Sequence, residues 1–418
     1  MSYLHVELTE HPLPDGWYED TLAACLDRMS SGSRPSGGSE LDSSGVFSLG
    51  GEHIDDFGGF RFGNCTYVPE KHYEWIKLEA DIQLGDILLN KDGAKTGKVA
   101  FVDDTFPFPR ACINEHVFRI RARTSTIRND YLFYFLLSSF GQTQLCRNIQ
   151  GSAQPGINQR FPRFVRVRFP ISTDEQDRIA ETLKAADDHI RALEEQIRKA
   201  ERVKKALLQQ FPCAVRHGAR VPLFRFSEIS SGFTKGRDLS GYERLTVAYL
   251  TVVNVLEGAL DLTEVSTADI KVSELDDLRL RDGDILMTEG GDRDKLGRGC
   301  IWQGQIDPIV CQNHIFRVRV NKKELRPWFL HYLLQAPSSK RYFFSAAKQT
   351  NNLCTINSRD LRRFEVPRLD PSQQDQWIER MRASDALIAS LQKQLTAARR
   401  VKQSLLQNLL IGKIRLKP

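Results

Sequence analysis

The 418-residue chain contains no apolar run of roughly 18 residues, and acids and a proline precede any apolar block in its first thirty residues. Neither a membrane span nor a secretory leader is expected, and the chain reads as cytoplasmic. Its eight cysteines, at 25, 65, 112, 146, 213, 300, 311 and 354, include no C-x-x-C, and no histidine stands at finger spacing. That sets aside a zinc site and a disulfide framework in favour of reduced, partly buried thiols. The Gly-rich cofactor loop and Asn-or-Asp-Pro-Pro-aromatic tetrad of a base methyltransferase are also missing. Gly93-Ala94-Lys95-Thr96-Gly97-Lys98-Val99 resembles a P-loop only superficially. It has three residues between its glycines where four are needed, and Val99 where a Ser or Thr should hold Mg²⁺.

Acid is scarce in two places. The net charge of +6 (59 basic, 53 acidic) is modest, yet Tyr131 to Pro170 holds no acid against Arg147, Arg160, Arg163, Arg166 and Arg168. From Trp328 to Arg363 the one acid is Asp360, against six Lys and Arg residues. Two separate basic zones point to nucleic acid. Asp292, Asp294 and Lys295 come nearest to a nuclease set, but Glu289-Gly290-Gly291-Asp292 reads as a mobile loop. His116 and His314 recur without a Ser, Cys or acid recurring at fixed spacing, so both are expected to be structural. The chain is not expected to be an enzyme by itself.

What is present is a long amphipathic helix from Ser172 to Gln210, about 55 to 60 Å if unbroken. Ile179, Leu183, Ile190, Leu193, Ile197, Val203 and Leu207 make a seam of helical period. Ser172 with Glu175 predicts a capping box, and Phe211-Pro212 a stop. A second such helix runs from Asp370 to Asn408, opened by Asp370-Pro371-Ser372-Gln373 and seamed by Ile388, Leu391, Leu395, Val401 and Leu405.

The second helix is one part of a duplication. Gly85-Asp86-Ile87-Leu88 returns as Gly283-Asp284-Ile285-Leu286, and His116 to Arg121 as His314 to Arg319, both at a spacing of 198 residues. Strands are expected at Gly85 to Leu89, Val99 to Val102 and Val117 to Arg121, and aromatic-rich helices at Tyr131 to Leu137 and Trp328 to Leu334. Two seams of equal length can bury each other as an antiparallel pair.

Two kinds of segment suit DNA. Loops after the two Gly-Asp strands carry Lys91, Lys95 and Lys98 in one repeat and Arg293, Lys295 and Arg298 in the other, cations fit for phosphates and guanine. Gln154, Asn158, Gln159, Arg160 and Arg163 cluster in the first acid-free zone; Lys348, Gln349, Asn351, Asn352 and Arg359 are their counterparts, with amides that suit adenine.

Leu13-Pro14-Asp15-Gly16-Trp17, the Gly85 strand followed by Gly97-Lys98-Val99, Gln154-Pro155-Gly156-Ile157-Asn158-Gln159, the Pro170-Ile171 entry into the helix and the close Leu409 to Arg415 together resemble the specificity subunit of type I restriction-modification systems. The second repeat departs from it, with Lys348-Gln349-Thr350-Asn351-Asn352-Leu353 in place of the Gln-Pro-Gly form. The resemblance implies an α+β chain with a pseudo-twofold internal repeat. Residues 1–170 and 213–369 would be two similar mixed α/β target recognition domains, and 171–212 and 370–418 helical spacers pairing as an antiparallel coiled coil. It implies a bipartite, asymmetric site on double-stranded DNA. Two methyltransferase and two restriction subunits are the partners it implies, the former docking on the helices, for which Arg191, Glu195 and Arg198 are candidates. No cofactor is expected on this chain; S-adenosylmethionine belongs to the methyltransferase, ATP and Mg to the endonuclease. A stand-alone nuclease would instead act on DNA without a partner, and a structural coiled-coil protein would lack salt-dependent DNA affinity.

Overall fold

The computed structural model describes residues 12–35, 45–151, 155–210, 219–291, 296–350 and 353–416. The chain forms two compact units, Met1–Leu193 with Gln394–Pro418, and Glu194–Lys393. Both long helices are divided between the units.

Unit 1 opens with β1 (Trp17–Thr21), the short α1 (Leu22–Cys25) and β2 (Leu26–Ser31), then β3 (Val46–Leu49), β4 (Thr66–Val68) and α2 (Glu70–Ala80). β5 (Ile87–Asn90), β6 (Val99–Phe101), β7 (Ala111–Ile113) and β8 (Val117–Ala122) follow. The helices α3 (Asn129–Leu137) and α4 (Ser139–Arg147), a hairpin of β9 (Ile149–Gln150) and β10 (Gly156–Ile157), and β11 (Arg166–Pro170) lead into α5 (Thr173–Gln210). Strands β2-β8-β5-β6 form one sheet, β4-β3-β7 a second, and β1 pairs with β11. β5 is central and buried on both faces: Ile87 and Leu89 pack with α3, while Leu88 joins the core of the second sheet. A strand covered on both sides needs no polar face, so Ile87-Leu88-Leu89 shows no alternation in sequence.

Unit 2 repeats this order. β12 (Arg220–Pro222), β13 (Ser227–Ser231), β14 (Arg244–Leu250), β15 (Ser266–Lys271) and the short α6 (Leu275–Leu278) precede the central β16 (Ile285–Thr288). Next come β17 (Gly290–Gly291), β18 (Gly299–Ile301), β19 (Ile309–Cys311), β20 (Ile315–Val320), α7 (Pro327–Gln335) and α8 (Pro337–Ala346). The hairpin β21 (Lys348–Thr350) and β22 (Leu353–Thr355), α9 (Ser358–Arg363) and β23 (Glu365–Pro367) lead into α10 (Pro371–Leu409). The sheet β13-β20-β16-β18 matches β2-β8-β5-β6, and β15-β14-β19 matches β4-β3-β7.

The repeated Gly-Asp motif has a physical reason. Gly85 and Gly283 take φ of 87° and 90°, conformations that glycine adopts without steric cost. Asp86 then closes the turn by accepting from the Gln83 amide at 2.8 Å and holds Arg121 of β8 at 2.5 Å. Asp284 does the same with the Arg281 amide at 2.8 Å and Arg319 at 2.8 Å. One carboxylate ties turn to sheet in each unit.

α2 was not expected from the sequence. Its buried Tyr73, Ile76 and Ala80 have helical spacing, but exposed Trp75 and Leu78 blur the apolar face. The helix is closed by Arg119 of β8, buried, which donates to the carbonyls of Leu78 and Asp81. A cation at a helix C-terminus satisfies orphan carbonyls and opposes the helix dipole.

The long helices start as expected, with one difference. Ser172 Oγ accepts from the Glu175 amide at 3.4 Å, but the Glu175 carboxylate binds Arg415 at 2.6 and 2.7 Å and does not return to the cap. At the second helix the returning arm is made, Asp370 N donating to Gln373 Oε1 at 3.1 Å. Each helix is welded to its block by one glutamine: Gln176 Nε2 donates to Thr126 O and Pro170 O, and its Oε1 accepts from Arg128 N. Gln374 makes the same three bonds to Glu324 O, Leu369 O and Arg326 N.

Within unit 1, Ile179, Ala180 and Leu183 of α5 share a core with Leu406 and Leu409 of α10 and with Leu410 and Ile411. Within unit 2, Leu207 and Leu208 of α5 and Trp377 and Ile378 of α10 pack against the core that holds Met381. Ile190, Leu193, Ile197 and Leu391 are buried, and Ile388, Leu395 and Leu405 half-buried, as seam residues should be. Val203 and Val401 are not: each is 57% exposed. Counting sevens from Ile197 and Leu395 gives Lys204 and Lys402, and the residue before each lies about 100° round the helix. Lys402, 8% exposed, pairs with Asp187, and Lys204 with Asp385 at 2.6 Å. Tyr134 and Tyr332 donate to the same carboxylates at 3.0 and 2.7 Å. Apolarity suggested valine; the ion pairs place lysine.

Candidate nucleic-acid interface

The two segment types expected to contact DNA are joined in both units. In unit 1, Lys91 O accepts from Ile157 N at 2.7 Å and Gly93 N donates to Pro155 O at 3.0 Å. Thr96 Oγ1 also donates to Pro155 O at 3.2 Å. The loop after β5 and the strand β10 therefore form one rim. In unit 2, Ile356 N donates to Glu289 O at 2.9 Å, and Gly290 and Gly291 pair with Thr355 and Cys354. Gly290–Gly291 is thus a strand, not the mobile loop expected; glycine's lack of a side chain hid it from pattern reading.

The side chains on the unit 1 rim divide into two sets. Lys91 Nζ donates to Ser31 Oγ at 3.3 Å and lies 5.4 Å from the Phe118 ring centroid. Lys95 Nζ donates to the carbonyls of Glu52 and Ile54 at 3.0 Å each, and Lys98 pairs with Asp56 at 2.7 Å, holding that carboxyl below its ordinary range. These lysines brace the loop. Gln159, Arg160 and Arg163 are exposed, with no side-chain partner among the described residues. Asn158 is exposed too, its Nδ2 3.3 Å from Gln150 Oε1 and its Oδ1 accepting from the Arg160 amide at 2.8 Å.

In unit 2, Lys348 and Arg359 are exposed without a side-chain partner among the described residues. Arg298 is half-buried, and its enclosed Nε has no partner among the described residues. Gln154, Arg293, Lys295, Asn351 and Asn352 lie outside the described residues, as does the side chain of Gln349.

An acid does meet each repeated histidine. His116 Nδ1 lies 2.7 Å from Asp92 Oδ1, and His314 Nδ1 2.9 Å from Glu289 Oε2. A one-residue drift and the change from Asp to Glu concealed the pairing in the sequence. Each pair clasps the loop after the central strand to the residue before β8 or β20.

Of the residues singled out on the helices, Arg191 binds Asp103 at 3.0 Å and Asp188 at 2.5 Å. Burial raises the Asp103 carboxyl, but hydrogen bonds from Thr105 and Arg191 outweigh it and leave the group below its ordinary range. Glu195 and Arg198 pair with each other at 2.7 Å on the solvent side. Among the described residues, no three His, Cys, Asp or Glu side chains gather as metal ligands, and no helix is long and apolar enough to cross a membrane. The sequence reading passed over a polar cleft of about 520 Å³ in unit 2, lined by Lys235, Arg237 and Arg244 with Asp238 and Asp269. Lys235-Gly236-Arg237 after β13 was its signal.

Residues 76–202 match the family model described as "Type I restriction modification DNA specificity domain". The chain is 26% identical over 160 residues to the MjaX type I restriction enzyme specificity subunit of Methanocaldococcus jannaschii, a match covering 38% of this chain and 37% of that one. To the MjaVIII specificity subunit of the same organism it is 23% identical over 372 residues, 84% of each chain. The S subunit of the type I restriction-modification system of M. genitalium shares its fold, with a TM-score of 0.58 at 14% identity over 95% of this chain and 97% of that one. Residues 76–202 thus carry a match to a type I restriction modification DNA specificity domain, and most of the chain is similar to a type I restriction enzyme specificity subunit.

Proposed function

We propose that the two units are target recognition domains, each reading one half of a bipartite, asymmetric sequence in double-stranded DNA. The observation that supports this best is the rim built twice, in which the loop after the central strand is bonded to a hairpin whose flank presents exposed Arg160 and Arg163, or Lys348 and Arg359, none with a side-chain partner among the described residues. The rims differ in their side chains, so the half-sites differ. The helices pair as an antiparallel coiled coil related by a pseudo-twofold axis, and act as a spacer on which two methyltransferase subunits dock. Those subunits carry S-adenosylmethionine, and restriction subunits carry ATP and Mg. This chain supplies no catalytic residue.

Arg160→Ala with Arg163→Ala is expected to weaken binding to DNA carrying the full site by 10-fold or more. The slope of log affinity against log salt should fall by about 2 if both contact phosphates, and by less if one reads a base. An unchanged affinity and slope in a folded variant would remove this rim from the interface. Inserting one heptad after Leu193 and one after Leu391 is expected to lengthen the gap by about 10 Å, or about three base pairs, with both half-sites kept. Mapping methylated sites in cells carrying the variant measures this; an unchanged gap would end the spacer reading.

A further inference from the structure

The loop after β13 meets the rim of unit 2 through one short segment. Phe233 N donates to Cys311 O, and Phe233 O accepts from Asn313 N, both at 2.9 Å. The next residue, His314, holds Glu289, whose carbonyl accepts from Ile356 beside the hairpin. Gln312, bridged to Phe233, stands two residues from His314, at most about 7 Å of chain. That is the rise of about two base pairs, so one duplex lying on the rim reaches the loop as well. The close approach is built into the backbone: a Cβ on Gly232 would stand 1.8 Å from Cys311 O, as one on Gly32 would from Ile113 O in unit 1.

Beyond that glycine the units part. In unit 1 the guanidinium of Arg34 is taken by Glu115 at 2.9 Å. Residues 33 to 45 hold no other cation, against Glu40 and Asp42. At the repeat spacing of 198 the position of Glu115 becomes Asn313, which carries no charge. Residues 233 to 245 hold Lys235, Arg237 and Arg244 against Asp238 and Glu243. The segment changes from −1 (one basic, two acidic) to +1 (three basic, two acidic).

The cations of this segment line the polar cleft of about 520 Å³, and they are not equivalent. Arg237 is committed to Glu274, at 3.1 and 2.7 Å. The acids are engaged too: Asp238 accepts from the Ser240 amide and hydroxyl at 2.9 and 2.6 Å, and Asp269 from Thr246 Oγ1 at 2.6 Å. Those bonds from Ser240, and then the charge of Arg244, hold the Asp238 carboxyl below its ordinary range. Lys235 and Arg244 are exposed and make no hydrogen bond or ion pair among the described residues. Lys235 Nζ lies 5.7 Å from the Tyr249 ring centroid, and buried Phe233 and Tyr249 meet edge to face, a rigid floor for the loop. Thr234 and Thr267 add hydroxyls, and no Asn or Gln lines the cleft. Cations and hydroxyls are the set that holds phosphate oxygens, whereas reading adenine would call for amides.

We propose that this cleft takes the sugar-phosphate backbone of the duplex beside the half-site that unit 2 reads, with Lys235 and Arg244 each binding a phosphate, at the place where unit 1 ties Arg34 to Glu115. It rests on the reading that unit 2 binds DNA.

The test uses the full chain and a duplex carrying its methylated site, titrated between about 50 and 200 mM salt. Lys235→Ala with Arg244→Ala is expected to weaken binding at least fivefold, on the site and on a scrambled duplex alike, and to lower the slope of log affinity against log salt by about 2. Lys235→Glu with Arg244→Glu should weaken it further. Phosphate ethylation should interfere beyond one half-site only, and the variants should lose that interference; thermal unfolding establishes that each is folded. Parental affinity and slope in both folded variants overturn the proposal. The rim reading then still stands if Lys348→Ala with Arg359→Ala weakens binding. If the parent binds no duplex, the DNA reading fails and the cleft with it. A loss confined to the site, sparing the scrambled duplex, would make Lys235 and Arg244 readers of bases and equally overturn the backbone assignment. Calorimetric binding of inorganic phosphate by the parent that the variants lack, with DNA affinity unchanged, would make the occupant a free anion and overturn it too.

Discussion

Replacing Lys402 with methionine is expected to destabilise unit 1 by about 2 to 4 kcal/mol, because it strands a largely enclosed Asp187 that, among the described residues, has only Tyr134 left as a polar partner. The equivalent Lys204→Met should cost less. Its side chain is 27% exposed and that of Asp385 is 39% exposed, against 10% and 23% for Lys402 and Asp187, so water replaces more of what is lost. Adding Asp187→Asn to Lys402→Met should recover part of the loss, since the cost lies in the unpaired charge rather than in the missing lysine. Denaturant unfolding of the three variants measures all of this. Equal effects at Lys402 and Lys204, or no recovery in the double variant, would mean that the pairs do not hold the seam in register.

The second large effect is a loss of stability with acid that His331 gives unit 2 and that its counterpart Phe133 cannot give unit 1. Burial of His331 pushes its imidazole down to about 4; the carboxylate of Asp385 opposes this and the Lys204 ammonium adds to it. Gln335, Trp328 and Tyr332 also surround it. In the unfolded chain the group titrates near 6.5, so below that pH the unfolded form gains a proton that the folded form refuses. The contribution is complete above about 6.5 and is lost as pH falls towards 4, up to about 3 kcal/mol over that window. His331→Phe, which restores the residue type that Phe133 supplies in unit 1, should flatten the stability of unit 2 between pH 6.5 and 4. Thermal or chemical unfolding followed at several pH values reads it directly. If the variant loses stability with acid as steeply as the parent, other groups carry the effect.

Much of the architecture could be read from the residues because the signals were local and repeated. The Gly-Asp turn needs a left-handed glycine and a carboxylate one residue later, and both features are visible in the letters. The long helices carry their own caps, and α5 carries acids in its first turn. Where reading failed, contacts distant in sequence had decided the matter. Lys204 and Lys402 take seam positions because aspartates on the other helix meet them, which no window of one helix reveals. α2 hid behind Trp75 and Leu78, apolar residues on its exposed side. At the candidate interface, composition brought out the right two segments but could not sort them. Lys95 and Lys98 look as available as Arg160 in sequence, yet they are engaged by Glu52, Ile54 and Asp56, some forty residues away in the chain.

The division of both helices between the units has a consequence for synthesis. The core of unit 1 includes Trp17 and Leu22 from near the start of the chain and Leu406, Leu409, Leu410 and Ile411 from near its end. Domains commonly fold from the N-terminus as the chain leaves the ribosome. Here the first block must wait, part of its apolar surface uncovered, until Leu406 to Ile411 are made, whereas unit 2 lies wholly within Glu194–Lys393 and can close earlier. A released chain ending at Lys393 should therefore display a finished second unit beside an unfinished first, and the first would be the one that holdase chaperones find.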